Sequence, residues 1–591
     1  MAPGRRHRSL RLLLVAVLVN ISFWQSTIVT DVTESGKTED ASSLYPSKRL
    51  PKVFTIVILT MNRLNSLQRL VGSLMNEGCQ YGHHDEAVNI EIHVDRPKDG
   101  GTTAWLETIS WASNLSWPYG EVDVVAAKEN QGLRDSWFNA WRPEGDNERA
   151  IILEDDVEVS KLWYSWVNGA YDSYGQNSDV AGFSLQRQNV IPLTDGRIRK
   201  GGISANDNEA FLYSLLGSIG FAPTARIWRE FLEWTDCALE HDVDVYVDGL
   251  ITSRWWRKPK NKRSMWEQHL VYYMYHQNMF CLYQFPRNST LGLASHWKEN
   301  GEHFKGKTRS SHGLVEDPAE LGNFRFPSEP NKFDWGANPV TPTRRKTLIV
   351  SAALGDQEPD TFSSFLSSLR KHYSGDVMMA IATNASPEIR SVLAKYNAKH
   401  SEVDISNVQH SMDIHRFKLY SKYCTSEYDY CMAIDFRDSF FQDHPFKYVN
   451  MDGGHDLIFQ SLGRSVKAIS DHWKSLPHCA QNNGTLVETY QLCLTGKPLI
   501  NAGGMVATSK GFQDLASFLL GMATDRDCSD QMAVNIAAHC ELSSAEILDQ
   551  GAGPINTLGY GSSSFRIGEK VTNLDCLPSP VVLGKSLQLE S

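Results

Sequence analysis

Twice in this chain an apolar, strand-like run ends directly in carboxylates. Ala150-Ile-Ile-Leu leads into Glu154-Asp155-Asp156, and Tyr430–Ile434 leads into Asp435 and Asp438. A short continuous apolar run bounded in this way reads as a strand buried on both faces, as in parallel sheets covered by helices. In open α/β sheets, ligands bind beyond the carboxyl ends of the strands. Clustered carboxylates repel one another unless a cation joins them. Hard divalent ions prefer oxygen, and use one or two protein carboxylates plus substrate phosphates. The pattern therefore predicts an α/β fold with a site for a metal–diphosphate ligand.

The surrounding sequence agrees with alternating strands and helices. VFTIVILT at 53–60 is a β-rich apolar run, and Leu67, Leu70, Val71 and Leu74 follow at helical spacing within Asn65–Met75. Strands are expected at Val88–Val94, which ends at Asp95, at Val122–Ala126 and at Ala150–Leu153. Residues 323–346 hold four Pro and little periodicity and read as a linker. The plan then restarts: a strand at Thr347–Ala353, a helix at Phe362–Tyr373, and strands at Val377–Ala382, Ile405–Gln409 and Tyr430–Ile434. This alternation predicts two α/β domains, 51–322 and 347–591, without an obvious sequence repeat between them.

The N-terminus addresses the compartment. Residues 1–11 form a basic tip with Arg5, Arg6, Arg8 and Arg11, and an apolar run follows over 12–30. It reads as an uncleaved signal anchor with the arginines cytosolic, the alternative being a cleaved signal peptide and secretion. Residues 31–50 are polar and aperiodic, like a flexible stem. Either way the body enters the secretory lumen. There the seven cysteines after residue 420 are expected to form two or three disulfides. The sequons at Asn114, Asn288 and Asn483 add little. Lys+Arg number 58 against 69 Asp+Glu, a net charge of −11, which argues against a general nucleic-acid binder.

Particular strings carry a resemblance. ILTMNR closes the first strand and HVDRP the second; ILEDDVEV, LGSIGF, MWEQHL and ASHW follow in order. Together, over about residues 53–304, they resemble the GT-A nucleotide-sugar glycosyltransferases. The nearest likeness is to the N-acetylglucosaminyltransferase I group and its O-mannose-linked relatives. The resemblance implies a Rossmann-like GT-A domain. Arg63 would contact the donor diphosphate and Asp95 the uracil. Glu154 and Asp155 would address the ribose and sugar, and Asp156 would bind Mn²⁺ or Mg²⁺. Glu267 would be the general base, and His296 would lie near the diphosphate or the metal. The chain departs from the group at the base: Trp-Asp-Asp-Trp is replaced by Trp266-Glu267-Gln268-His269. Aligned on the second acid, the base would fall on Gln268.

In the second half, Asp435-Phe-Arg-Asp438 followed by Phe441-Gln-Asp-His-Pro-Phe446 resembles the D-x-R-D strand end of a broad set of GT-A-like transferases. The likeness covers about residues 347–560. It implies that Asp435 contacts ribose and Asp438 metal. Asn501 and Gly503 would form a donor-site turn, and Asp530 and Gln531 would contact acceptor or sugar. Such domains often carry a late metal-binding His, whereas the last His here is His539.

The expectation is a Golgi-type, type II membrane glycosyltransferase with two tandem GT-A-like domains behind the anchor. It would move a sugar from a nucleotide-sugar donor, a UDP-sugar for preference, to a glycan or glycoprotein hydroxyl. The alternative keeps one active domain and makes the second a glycan-binding or scaffolding module.

Overall fold

The computed structural model describes residues 53–584, apart from 82–86, 189, 194–196, 204–208, 289, 297–312, 341–344, 356, 409–410, 450, 452–453, 467–472, 523–525, 559–564 and 568–569. The expected tip, anchor and stem lie outside the described residues. Among the described residues no helix is long and apolar enough to cross a membrane.

The first half is built on a nine-stranded sheet. Its parallel part runs Val122–Ala126, Ala87–Val94, Val53–Thr60, Arg149–Glu154. Beyond it come Phe221–Pro223, antiparallel to both neighbours, then Val180–Ser184, Phe280–Gln284, Ala210–Tyr213 and Lys332–Phe333. The helix Leu64–Leu74 buries Leu67, Leu70, Val71 and Leu74 on one face of the sheet. The helix Leu133–Ala140 covers the other face with Trp137 and Phe138. Alternate residues of Val53–Thr60 serve the two cores: Phe54, Ile56 and Ile58 one, Val57 and Leu59 the other. Because the chain leaves this strand for one neighbour and reaches the other only later, its carboxyl end is a topological switch point.

The second half has a seven-stranded sheet ordered Lys399–Val403, Asp376–Ala382, Thr347–Ala353, Tyr430–Ile434, Pro498–Ala507, Leu457–Ser465, Ala545–Leu548. Taking its strands in chain order, the sheet reads 3-2-1-4-6-5-7. The strands 53–60, 87–94, 122–126, 149–154, 180–184, 221–223 and 280–284 of the first half follow the same order. In both, the fourth and fifth strands flank an antiparallel sixth, and the fifth pairs in parallel with the seventh. The two halves, without an obvious repeat in sequence, thus repeat one topology.

Two expectations need correction, and a third is met and extended. The third strand of the second sheet is Lys399–Val403, and Ile405–Asn407 is a short 3-10 turn instead, capped by Asp404. The segment 323–346 is not free of the first domain: Lys332–Phe333 pairs in parallel with Ala210–Tyr213, and Tyr213 donates its hydroxyl to the Trp335 carbonyl at 2.8 Å. The disulfides reach further than the later cluster. Three lie within it, Cys424–Cys431, Cys479–Cys528 and Cys493–Cys540, and a fourth joins Cys237 to Cys576 across the two halves.

The halves share more than that bond. Cys576 and Leu577 belong to the core of the first half, and the Trp234 indole N–H donates to the Asp575 carbonyl at 2.9 Å. The Gln277 amide donates to the Tyr448 hydroxyl at 3.0 Å. The described residues, between 53 and 584, belong to one compact unit.

Candidate active site

The switch point of the first sheet opens into a cavity of about 970 Å³. The two central strands end side by side, Leu59 opposite Glu154, and the Asp155 N–H donates to the Leu59 carbonyl at 3.1 Å. This brings Arg63, just past one strand end, against the acids just past the other. Arg63 donates to Asp155 and, at 3.2 Å, to Asp156 Oδ2. Thr60 Oγ1 donates to Asp155 Oδ2 at 2.6 Å. His296 arrives on the strand Ala294–His296, which pairs antiparallel with Val157–Val159, so that His296 lies opposite Val157. Its Nδ1 stands 3.3 Å from Asp156 Oδ1.

All seven residues singled out in the first half line this one cavity: Arg63, Asp95, Glu154, Asp155, Asp156, Glu267 and His296. Their environments differ. Burial, with Asp156 and Glu267 nearby, pushes the Glu154 carboxyl up to about 8. Burial also pushes Asp155 up to about 7, against the pull of Arg63 and Thr60. Asp156 is held down at about 2: burial opposes its charge, but His296 and Arg63 beside it prevail. Asp156 is thus the fixed anion of the cluster.

Asp95 has another task. Its Oδ1 accepts from the backbone N–H of Arg96 and Gln131, both at 2.8 Å, and its Oδ2 from the Asn130 amide at 3.1 Å and the Gly132 N–H at 3.0 Å. A carboxylate has about four lone-pair sites, so Asp95 shapes the 130–132 loop at the cavity wall.

The structure also separates the two readings of the base. Glu267 begins the helix Glu267–Gln277 and lines the cavity. Gln268 does not line it. It is buried, and its amide donates to the Val245 carbonyl at 2.9 Å and to Ser253 Oγ at 3.0 Å. Gln268 fixes the preceding loop and Glu267 faces the site.

Whether the residues suit a divalent cation can be tested on Asp156. Its Oδ1 is buried and lies 3.3 Å from His296 Nδ1, a contact short of a well-aligned hydrogen bond. With His296 beside it, the pair offers one carboxylate oxygen and one imidazole nitrogen. Among the described residues no group of three or more His, Cys, Asp or Glu side chains is placed to hold a metal. One carboxylate and one imidazole would leave most positions of such an ion to other oxygen ligands.

Sequence reading missed Thr60, Trp137, Lys260 and Arg263. Thr60, the strand's last residue, was inside the quoted ILTMNR string. Lys260 and Arg263 line the cavity from the basic run 257–263, a charge pattern that could have marked them. Trp137 gave no signal; it donates its indole N–H to Glu154 at 3.2 Å and stacks on Trp266 at 3.8 Å.

In the second half, Asp435, Asn501, Gly503, Asp530 and Gln531 also converge, but on one another. Arg416, which sequence reading passed over, lies one turn into the helix Met412–Tyr423. It donates to Asp435, to Asp530 at 2.6 Å and to the Ala502 carbonyl at 3.1 Å. The Asn501 side chain donates to Thr557 Oγ1 at 2.9 Å and accepts from the Gly503 N–H at 2.8 Å. Gln531 accepts from the Ala502 N–H at 3.1 Å and donates to the Ile500 carbonyl. A Cβ on Gly503 would stand 2.6 Å from Asp435 Oδ2, so this glycine makes room for a carboxylate of the chain itself.

No family model matches the chain, and no curated protein matches it. Among solved structures it is similar to the apo form of mouse xyloside xylosyltransferase 1, at 10% identity over 40% of this chain and 97% of that one, with a TM-score of 0.27. An active-site mutant of LgtC is similar at 13% identity over 40% of this chain and 87% of that one, TM-score 0.27. The galactosyltransferase LgtC in complex with donor and acceptor sugar analogues is similar at 13% over 41% and 87%, TM-score 0.25. At TM-scores this low the likeness decides nothing about the site.

Proposed function

We propose that the first half is a glycosyltransferase moving a sugar from a nucleoside-diphosphate donor, a UDP-sugar, to a hydroxyl of a glycan or glycoprotein. The observation that carries this reading is the convergence of Arg63, Glu154, Asp155, Asp156, Glu267 and His296 on one cavity at the switch point of the sheet. That is where such folds bind nucleotides.

The chemistry follows from the placement. Glu267 takes the proton of the acceptor hydroxyl, whose oxygen attacks the anomeric carbon of the donor. The bond from that carbon to the diphosphate oxygen breaks, and the nucleoside diphosphate leaves with the electron pair. A single in-line displacement inverts the anomeric centre. Arg63 faces the leaving diphosphate with a permanent, planar cation. Asp156 and His296 would hold Mn²⁺ or Mg²⁺, which when bound supplies positive charge to the leaving group.

A panel of nucleotide sugars, scored by nucleoside-diphosphate release, tests the reading. Release with at least one UDP-sugar is expected, with loss in Asp156→Ala at unchanged melting temperature. Mn²⁺-dependent release that persists in Asp156→Ala would sink the metal assignment; no release with any donor would sink the activity. The same reading places the body in the secretory lumen behind the 12–30 anchor, and the four disulfides support an oxidising compartment.

For the second half, the closed network around Arg416 favours the alternative role, a glycan-binding or scaffolding module. An unchanged product profile in Asp435→Ala/Asp438→Ala is expected, and loss of a distinct product would restore a second transferase.

A further inference from the structure

The repeated strand order fixes which residues of the two halves are equivalent. In each half the fourth strand ends in acids and the chain runs on into a short strand, Val157–Val159 in the first and Ser439–Phe441 in the second. Each short strand pairs antiparallel with a strand from late in its own half, Ala294–His296 and Val581–Leu583. In the first half His296 lies opposite Val157, the residue directly after Asp156. In the second, Leu583 lies opposite Ser439, the residue directly after Asp438. Leu583 therefore occupies the place of His296.

The substitution removes a ligand. An imidazole nitrogen can bind a metal ion, and an isobutyl group has no lone pair. Leu583 is buried, and the N–H of Gly584 beside it donates to the Asp438 backbone carbonyl at 2.9 Å. No His follows His539 in the sequence, and the His539 Nε2 is 2.8 Å from the Pro498 carbonyl oxygen.

Each half sets a guanidinium against its acids, Arg63 beside Asp155 and Asp156 in the first, but the residue supplied by the helix before the fourth strand differs. One turn into the helix before the fourth strand, the first half has Trp137, which gives Glu154 a neutral N–H. The second half has Arg416 one turn into its own helix, paired with both Asp435 and Asp530. A guanidinium does not deprotonate in a protein, so its charge compensation is permanent.

We propose that the chain holds a single divalent cation, at Asp156 and His296, and that the second half is a metal-free module whose acids are compensated by Arg416. This rests on the reading of Asp156 and His296 as the metal pair of the first half. Asp438, expected from the sequence to bind metal, is then an ordinary half-buried acid.

The test counts ions. Mn²⁺ is titrated into the full chain with UDP present, and free Mn²⁺ is followed by its electron paramagnetic resonance signal. One bound ion per chain is expected, weakened at least tenfold in Asp156→Ala and unchanged in Asp438→Asn. Two ions in the wild type, with one lost in Asp438→Asn, would overturn the proposal. So would a single ion that survives Asp156→Ala and disappears in Asp438→Asn. No bound ion, alongside metal-independent diphosphate release, would overturn the metal pair itself while leaving the transferase reading standing. Asp438→Asn is isosteric and partly exposed, so a melting curve matching the wild type separates ligand loss from unfolding.

Discussion

Glu267 and Gln268 are adjacent on one helical turn, yet one faces the cavity and the other is buried against Val245 and Ser253. Their substitutions should therefore fail in different ways. Glu267→Gln is expected to lower kcat by about a hundredfold to ten-thousandfold, the usual worth of a general base, with little change in melting temperature or in UDP affinity. Gln268→Ala is expected to lower stability by about 1–3 kcal/mol, since it strips buried partners of a hydrogen bond. Urea unfolding and steady-state kinetics on both variants check this, and the opposite assignment of effects would return the base to Gln268's position. The pair also shows what could be read beforehand. The strand-end acids were legible because three adjacent carboxylates at the end of a buried run demand positive charge beside them. The inward choice between Glu267 and Gln268 was not, because it depends on the rotation of a helix about its axis. Asp95 shows the same limit. A lone Asp after a strand looks the same in sequence whether it binds a ligand or caps a loop, and only the four donors around it decide.

The helix Glu267–Gln277 connects two environments. Its first residue faces the cavity, and its last hydrogen-bonds Tyr448 of the second half. It also carries two histidines that the fold keeps neutral. Burial, with Arg134 nearby, lowers His269 to about 3, between the rings of Phe138 and Trp256. Burial lowers His276 to about 4. The unfolded chain takes up these protons near the ordinary histidine value of about 6.5, and the native state does not. Stability from this source is complete above about pH 6.5 and falls as the pH drops toward 4. Each histidine steepens the decline by about 1.4 kcal/mol per pH unit within its window. His269→Phe is expected to flatten the acid limb of melting temperature against pH; an unchanged slope would show that His269 is protonated in the native state. The helices Leu64–Leu74 and Pro359–His372 were legible in the sequence, whereas Glu267–Gln277 was not read as one. The edge strand at 399–403 was displaced in the reading because edge strands alternate weakly and carry charge: Lys399, His400 and Glu402.

At the scale of the molecule, the two halves are one folding object. The Cys237–Cys576 bond spans 339 residues of sequence. Cys576→Ser is expected to cost about 2–4 kcal/mol, the usual range for a native disulfide, measured by denaturant unfolding under non-reducing conditions. No loss would mean that the surrounding contacts hold the junction unaided. Sequence reading found both sheets but took them for separable domains. A Pro-rich segment between two α/β patterns looks like a tether, and nothing local reveals that its middle adds an edge strand or that residues near the far terminus pack into the first core. The shared strand order was hidden for a different reason: topology survives when side chains diverge, and only a few positions beside the fourth strand keep the same chemistry.

The packing of Cys576 and Leu577 into the first half sets the order in which the protein can mature. A ribosome delivers the N-terminal sheet first, and domains of a multidomain chain usually close as they emerge. Here the core packed on the first sheet lacks Cys576 and Leu577 until residue 577 has been made, and Cys237 meets its partner only after the six cysteines of the other three disulfides are also present. Correct pairing thus depends on Cys237 being kept from those earlier cysteines.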